Sequence, residues 1–213
     1  MEMYENQFEL MLLDEEKKLT NKKDPSHDIL HIKRVLHTAK QIGLIEKANF
    51  EILIPAVWLH DFFVIPKNSI ERNKASFICA EKAIDYLNSI NYPSKFFGEI
   101  FHAIHAHSFS ANIETKTIEA KVLQDADRID ALGAIGIARC FATGGIIGSS
   151  FYDVNDPFAE NRELNDKEFS IDHFYKKLLT LPETMKTEAG KNEAQKRVHF
   201  IKIFLNQLKE EII

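Results

Sequence analysis

Cysteine is scarce in this chain. Its two residues, Cys79 and Cys140, stand in apolar surroundings without CxxC spacing, so no disulfide framework is expected and both read as reduced core residues suited to the cytoplasm. Positive charge is not in excess either. Against 32 Asp and Glu the chain sets 27 Lys and Arg, a formal charge of -5 with a pI near 6.0, which excludes a global basic field and makes a long nucleic acid an unexpected partner. The apolar runs are too short and too interrupted to span a bilayer as a helix, so no membrane role is expected. The acidic start Met1-Glu2-Met3-Tyr4-Glu5-Asn6 lacks the basic and apolar segments of a secretory leader, so export is not expected. Missing as well are internal repeats, low-complexity tracts, a serious strand pattern and the GxxxxGK[ST] loop that cradles phosphates in ATP-driven enzymes.

What is present is the composition of an ordinary soluble domain: 213 residues, 45% hydrophobic and 28% charged, enough for one substantial core over 1–213. Apolar residues at helical spacing predict a first helix from Tyr4 to Leu19 with Phe8, Met11, Leu12 and Leu13, broken by Asn21–Pro25. Ser26 is the expected N-cap of a second helix through His27, Asp28, His31, Arg34, Val35 and Ala39, stopping near Gly43. A third begins near Asn49, carries Pro55 and ends around His60-Asp61; a fourth spans Ile70–Asn88 with Phe77, Ile78, Ala80, Ala83, Ile84 and Leu87 inward. Two more run from Phe96 to Ser108 and from Thr117 towards Asp127, and the small residues of Ala131–Phe141 predict a tightly packed internal helix. Thr143–Lys167 reads as an irregular excursion, functional or mobile. The last helices are Glu168–Leu179 and Thr187–Ile213, joined by Leu181-Pro182, with Phe200, Ile203, Phe204 and Leu208 as the final apolar stripe.

The chemistry is concentrated in a few polar residues where packing alone would not put them. His60-Asp61 ends the apolar run Ile52–Leu59; taken alone, the pair is either a buried hydrogen-bonded couple or part of a cation site. Val122–Asp130 interrupts an apolar helix with Asp125, Asp127, Arg128 and Asp130, more charge than a core tolerates without a counter-ion. His31, His60, Asp61 and Asp127 would offer two imidazoles and two carboxylates from separate helices of a bundle. That mixture suits Mn(II), Fe(II), Zn(II) or Mg(II) without choosing among them.

These elements, Ser26–Val35 around His31, Trp58-Leu59-His60-Asp61 and Asp125–Asp130 around Asp127, resemble the HD-domain superfamily of metal-dependent phosphohydrolases. Beyond them, His102–Ser110, Ala131–Gly136 and Asp172–Leu179 look like its small single-domain bacterial branch. The resemblance implies an all-α HD-domain helical bundle with additional C-terminal helices, its metal-binding core about 26–130 and its C-terminal extension about 143–213. It implies one divalent ion held by His31, His60, Asp61 and Asp127, and hydrolysis of a phosphoanhydride or phosphoester bond of a small nucleotide by a metal-activated water. The expected substrate is a (deoxy)nucleoside triphosphate, with release of pyrophosphate or phosphate. Asp61 or Asp127 orients the water, and His107 contacts substrate.

His27, four residues before His31, reads as a cap or a support for the ligands. His102 and His107 are also open to a second metal, as in cyclic-nucleotide phosphodiesterases and other binuclear members; a non-catalytic nucleotide-binding module is a further alternative. Where some members carry acids after the His-Asp pair, this chain has Phe62-Phe63-Val64-Ile65, then Lys67, Arg72 and Lys74, which either grip phosphates or form a solvated helix start. Arg128 either grips phosphate or pairs with Asp125 or Asp130, and Lys177 with His173 would close the pocket. A homodimer is compatible with all of this.

Overall fold

The computed structural model of the chain describes residues 2–18, 28–63, 74–108 and 111–212. Its regular structure is helical: α1 Glu2–Lys18, α2 Ile29–Ile45, α3 Phe50–Leu59, α4 Ala75–Ser89, α5 Phe97–His107, α6 Ile118–Ile129, α7 Gly133–Ile147, α8 Ser170–Lys176 and α9 Glu188–Ile212. The one β pairing among the described residues is an isolated bridge between Ser150 and Phe169. Two compact units divide the chain, Met1–Asp127 and Arg128–Ile213, with the boundary inside α6.

In the first unit α3 is the central element, packed against α1, α2, α4 and α5. A helix surrounded by others must be apolar on all sides, and every residue from Ile52 to Leu59 is buried. Asn49 caps its start, its side chain accepting from the Glu51 amide at 3.0 Å. Pro55 deprives the Glu51 carbonyl of its usual donor four residues on, and the buried Tyr92 hydroxyl donates to that oxygen at 2.7 Å instead. The proline is thereby kept inside the helix without leaving a carbonyl bare. In α1, Phe8 and Leu12 face the core, and Lys33 and Lys40 of α2 reach back to Glu9 and Glu5 at 2.6 and 2.8 Å.

Helix α2 starts later than its composition suggests. Asp28, not Ser26, is the cap: its carboxylate accepts from the His31 amide at 2.8 Å, which is the N-cap's function in satisfying a first-turn donor. Ser26, His27 and the break at Asn21–Pro25 lie outside the described residues. On α4 the inward side is Ser76, Cys79, Ala80, Ala83 and Leu87, while Phe77 is 39% exposed and Ile84 half-buried. Phe77 sits instead on a rim of rings with Phe101 and His105, each 5.4 Å away.

In the second unit α7 continues four residues past Thr143, where an irregular segment is predicted, and stops at Gly148, whose φ of 78° is the left-handed conformation that ends helices. It is less internal than its small residues suggest, with Ile135, Ile146 and Ile147 exposed. Those small residues act locally: a Cβ on Gly144 would lie 2.3 Å from the Ser170 hydroxyl of α8. Residues 149–169 are irregular but tied down. The fully buried carboxylate of Asp172 accepts two bonds from the Arg162 guanidinium, at 2.5 and 2.8 Å, and one from the Asn165 amide at 2.6 Å. Leu181-Pro182 falls within a 3-10 segment, Leu178–Thr184, which packs on α8 and α9. On α9 the buried stripe is Ala194, Val198, Ile201 and Leu205, not the predicted one; Phe200 and Ile203 are about half exposed. No single described helix is long and apolar enough to cross a membrane.

Candidate metal centre

Four helices of the first unit bring polar side chains to one point. His31 is in the first turn of α2, where the Asp28 cap fixes its backbone. His60 is the C-cap residue of α3, with Asp61 following, so the pair stands at the end of the unit's most buried helix, His60 enclosed and Asp61 partly open to solvent. His107 is the last residue of α5, and Asp127 lies in the last turn of α6.

The resulting distances are short. His31 Nε2 is 3.4 Å from Asp127 Oδ1 and 4.0 Å from Asp61 Oδ2. His60 Nε2 is 3.7 Å from Asp61 Oδ2 and 3.9 Å from Asp127 Oδ1, and His107 Nε2 is 3.7 Å from Asp61 Oδ1. The ligand atoms of His31, His60 and Asp127 all lie within 4.8 Å of one another, as do those of His60, Asp61 and His107. Asp61 therefore turns one oxygen to His31 and His60 and the other to His107.

The histidines are buried, and the carboxylates are partly open to solvent, 23% for Asp61 and 30% for Asp127. His60 Nδ1 faces the Val57 carbonyl at 2.7 Å and so carries the ring's proton, which leaves the lone pair on Nε2. That Nε2 is buried and has no hydrogen bond. Burial holds the His60 pKa below its ordinary value despite the nearby Asp61, so the ring is neutral, the form that ligates a metal. For His107 burial also acts downward, but the contact with Asp61 and the charges of Asp61 and Asp127 outweigh it, and its pKa is raised. For Asp127 burial acts upward, but the contact with His31 and the field of His60 outweigh it, so its carboxyl stays below the usual range and ionised.

A divalent cation bonded to nitrogen and oxygen at about 2.0–2.2 Å sets its ligands roughly 3–3.6 Å apart. The observed separations are within a few tenths of an ångström of that. A hydrogen-bond-free, buried Nε2 aimed among carboxylates costs about 1–3 kcal/mol unless something accepts its lone pair. The donor set fits a metal ion.

Not every expected side chain joins it. His102 Nε2 accepts from the Lys116 amide at 2.9 Å, and His105 meets Phe77 and Phe101 edge-on; neither belongs to the ligand cluster. Lys67 and Arg72 lie outside the described residues; Lys74 is exposed at the start of α4. Arg128 and Lys177 belong to the second unit. There Arg128 Nη1 donates to the Thr184 carbonyl at 3.0 Å, and Lys177 is exposed after α8. Asp130 forms an ion pair with Arg139, and His173 and Lys176 contact Asp166 at 3.4 and 2.7 Å.

Two residues close to the cluster carry no signal of their own in the sequence. The Cys79 thiol of α4 donates to the His60 and Leu59 carbonyls, at 3.2 and 3.4 Å, beneath the turn that presents the ligands. Gln124 of α6 reaches the Ala106 carbonyl at 2.8 Å. Only its place one turn before Asp127 marks it.

The HD domain family matches residues 29–132, a span that contains His31, His60, Asp61, His107 and Asp127. An HD-superfamily hydrolase from Bacillus thuringiensis superposes with a TM-score of 0.71 at 34% identity, over 97% of this chain and 96% of that one. With fold, ligand cluster and sequence in agreement, the chain belongs to the HD-domain superfamily of hydrolases. Within it the similarity extends to YpgQ of Bacillus subtilis, 32% identical over 190 residues, 87% of this chain and 84% of that protein. The crystal structure of YpgQ in complex with ADP superposes with a TM-score of 0.68, covering 88% of this chain and 90% of that one.

Proposed function

We propose that this protein is a metal-dependent phosphohydrolase acting on a nucleotide, a (deoxy)nucleoside triphosphate in particular, with release of pyrophosphate or phosphate. The observation that carries this reading is the convergence of His31, His60, Asp61 and Asp127, with a buried lone-pair nitrogen among them. That YpgQ crystallised with ADP supports a nucleotide as the substrate class. The two reduced cysteines support a cytoplasmic setting.

His31, His60, Asp61 and Asp127 hold one divalent ion, a set of donors that suits Mn(II), Fe(II), Mg(II) and Zn(II) alike. When bound it polarises a water and offsets charge on a phosphate oxygen. The chain's own groups do the rest. Asp61 and Asp127, the two side chains of the cluster that are partly open to solvent, orient the attacking water. His107, inclined by Asp61 to keep its proton, donates to a substrate oxygen. Lys67, Arg72, Arg128 and Lys177 are assigned to the phosphates on sequence alone.

A second ion held by His60, Asp61 and His107 has one observation in its favour, their closeness. Against it, His60 has a single lone pair to give, since its Nδ1 is turned to Val57. One ion per chain is expected. Purified protein assayed for phosphate and pyrophosphate release from a nucleotide panel, with Mn(II), Mg(II), Fe(II), Zn(II) and no metal, tests the reading. Metal-dependent release is expected; no turnover of any nucleotide with any ion would overturn it.

A further inference from the structure

Gln124 is 3% exposed, and its amide is used on one side only. Nε2 donates to the Ala106 carbonyl at 2.8 Å, while Oε1 is buried without a hydrogen bond. The orientation of the amide is fixed, because turning it over would set two oxygens against each other. A buried acceptor left alone costs about 1–3 kcal/mol; an apolar side chain of the same size would avoid that cost but strand the Ala106 carbonyl at a similar one. Net stability is therefore a poor account of a glutamine here.

Its position supplies a better one. Ala106 is the residue before His107, in the last turn of α5, where backbone carbonyls run out of intrahelical donors. The Ala106 carbonyl and the His107 amide share one planar peptide unit, so holding that oxygen fixes the plane from which His107 departs. The imidazole is held in turn by Ile104, whose carbonyl meets Nδ1 at 2.5 Å, and this aims Nε2 at Asp61. Gln124 also stands three residues before Asp127 on α6. It thus ties the helix end bearing His107 to the helix turn bearing Asp127.

The geometry points to Gln124 as a positioning residue that sets His107 against Asp61, an inference that rests on the hydrolase reading above. The test is the apolar isostere Gln124→Met, with Gln124→Glu, which keeps the size and loses the donor, as a second variant should the first not fold. Three readouts are taken: Mn(II) affinity by titration, kcat and KM for nucleotide hydrolysis, and the same parameters in His107→Ala and in Gln124→Met/His107→Ala. Expected are a melting temperature within a few degrees of wild type, Mn(II) binding weakened roughly three- to tenfold, and kcat reduced about tenfold with KM within about twofold. In the double variant the loss is no greater than for His107→Ala alone.

Mn(II) affinity and kcat within about twofold of wild type, or losses that multiply in the double variant, would overturn the role. Wild-type protein that binds Mn(II) but turns over no nucleotide overturns the hydrolase reading instead, and the metal affinities still decide Gln124. Wild-type protein that binds none of Mn(II), Fe(II), Mg(II) and Zn(II) removes both.

Discussion

Replacing Asp127 by Asn separates the metal reading from a merely structural cluster. Asp127 lies 3.4 Å from His31 Nε2 and 3.9 Å from His60 Nε2, so the amide keeps the shape and withdraws one anionic ligand. Supporting residues around metal ligands typically contribute 10- to 100-fold in affinity, so about 100-fold is a conservative loss for a ligand itself. Mn(II) at about 100 times the wild-type dissociation constant stabilises the native state by about 2.7 kcal/mol. For a chain of this length that is a rise in melting temperature of roughly 5–11 °C, at about 2–4 °C per kcal/mol. The same Mn(II) concentration only equals the weakened constant of the variant, and the gain falls to about 0.4 kcal/mol, or roughly 1–2 °C. Thermal melts with Mn(II) and with EDTA measure both. An equal Mn(II)-induced rise in wild type and Asp127→Asn, or no rise in either with Mn(II), Fe(II), Mg(II) or Zn(II), refutes the shared ion.

Further expectations concern neighbouring groups. His107→Ala lowers kcat at least tenfold, whereas His102→Ala, whose ring serves the Lys116 amide, leaves it within about twofold; steady-state kinetics compare them. Burial pushes the Cys79 thiol from its ordinary value near 9 up to about 12, so the stability it contributes is full below pH 9 and is lost as pH climbs from there towards 12. Urea melts at pH 8 and pH 10 should therefore show wild type losing about 1.4 kcal/mol more than Cys79→Ala across that interval. Arg162→Met strands the buried Asp172 carboxylate and costs about 3–5 kcal/mol, while the paired replacement Arg162→Met/Asp172→Leu recovers most of it; calorimetry distinguishes the two.

The parts of the fold that were legible in the sequence are those written in short-range pattern. Ile52–Leu59 is apolar at every position, which leaves no choice but a helix enclosed by others, and His60-Asp61 at its end is a polar exception that the family pattern resolves. Side-chain size misled the reading elsewhere. The bulk of Phe200 and Ile203 pulls the apparent stripe of α9 off its true phase, which is set by the smaller Ala194 and Val198 with Ile201 and Leu205. Phe77 misleads in the same way, because a large ring can rest on a rim of other rings and stay half open. Pairings such as Asp130 with Arg139 and Asp172 with Arg162 cross a turn or an irregular segment, where no helical or strand period connects the partners. Cys79 and Gln124 act on backbone carbonyls, and a carbonyl's needs leave no mark on residue type.

The way the helices end around the cluster has an electrostatic consequence. Three of them, α3, α5 and α6, present their C-terminal ends to it, and α2 alone presents its first turn. Aligned peptide dipoles leave about half a negative charge at each C-terminal end and half a positive one at the N-terminal end, so the backbone field at the cluster is net negative before any side chain is counted. Asp61 and Asp127 deepen it. Such a field draws in a cation and turns away a polyanion, so for the nucleotide substrate proposed above it favours an order of loading in which the ion enters first.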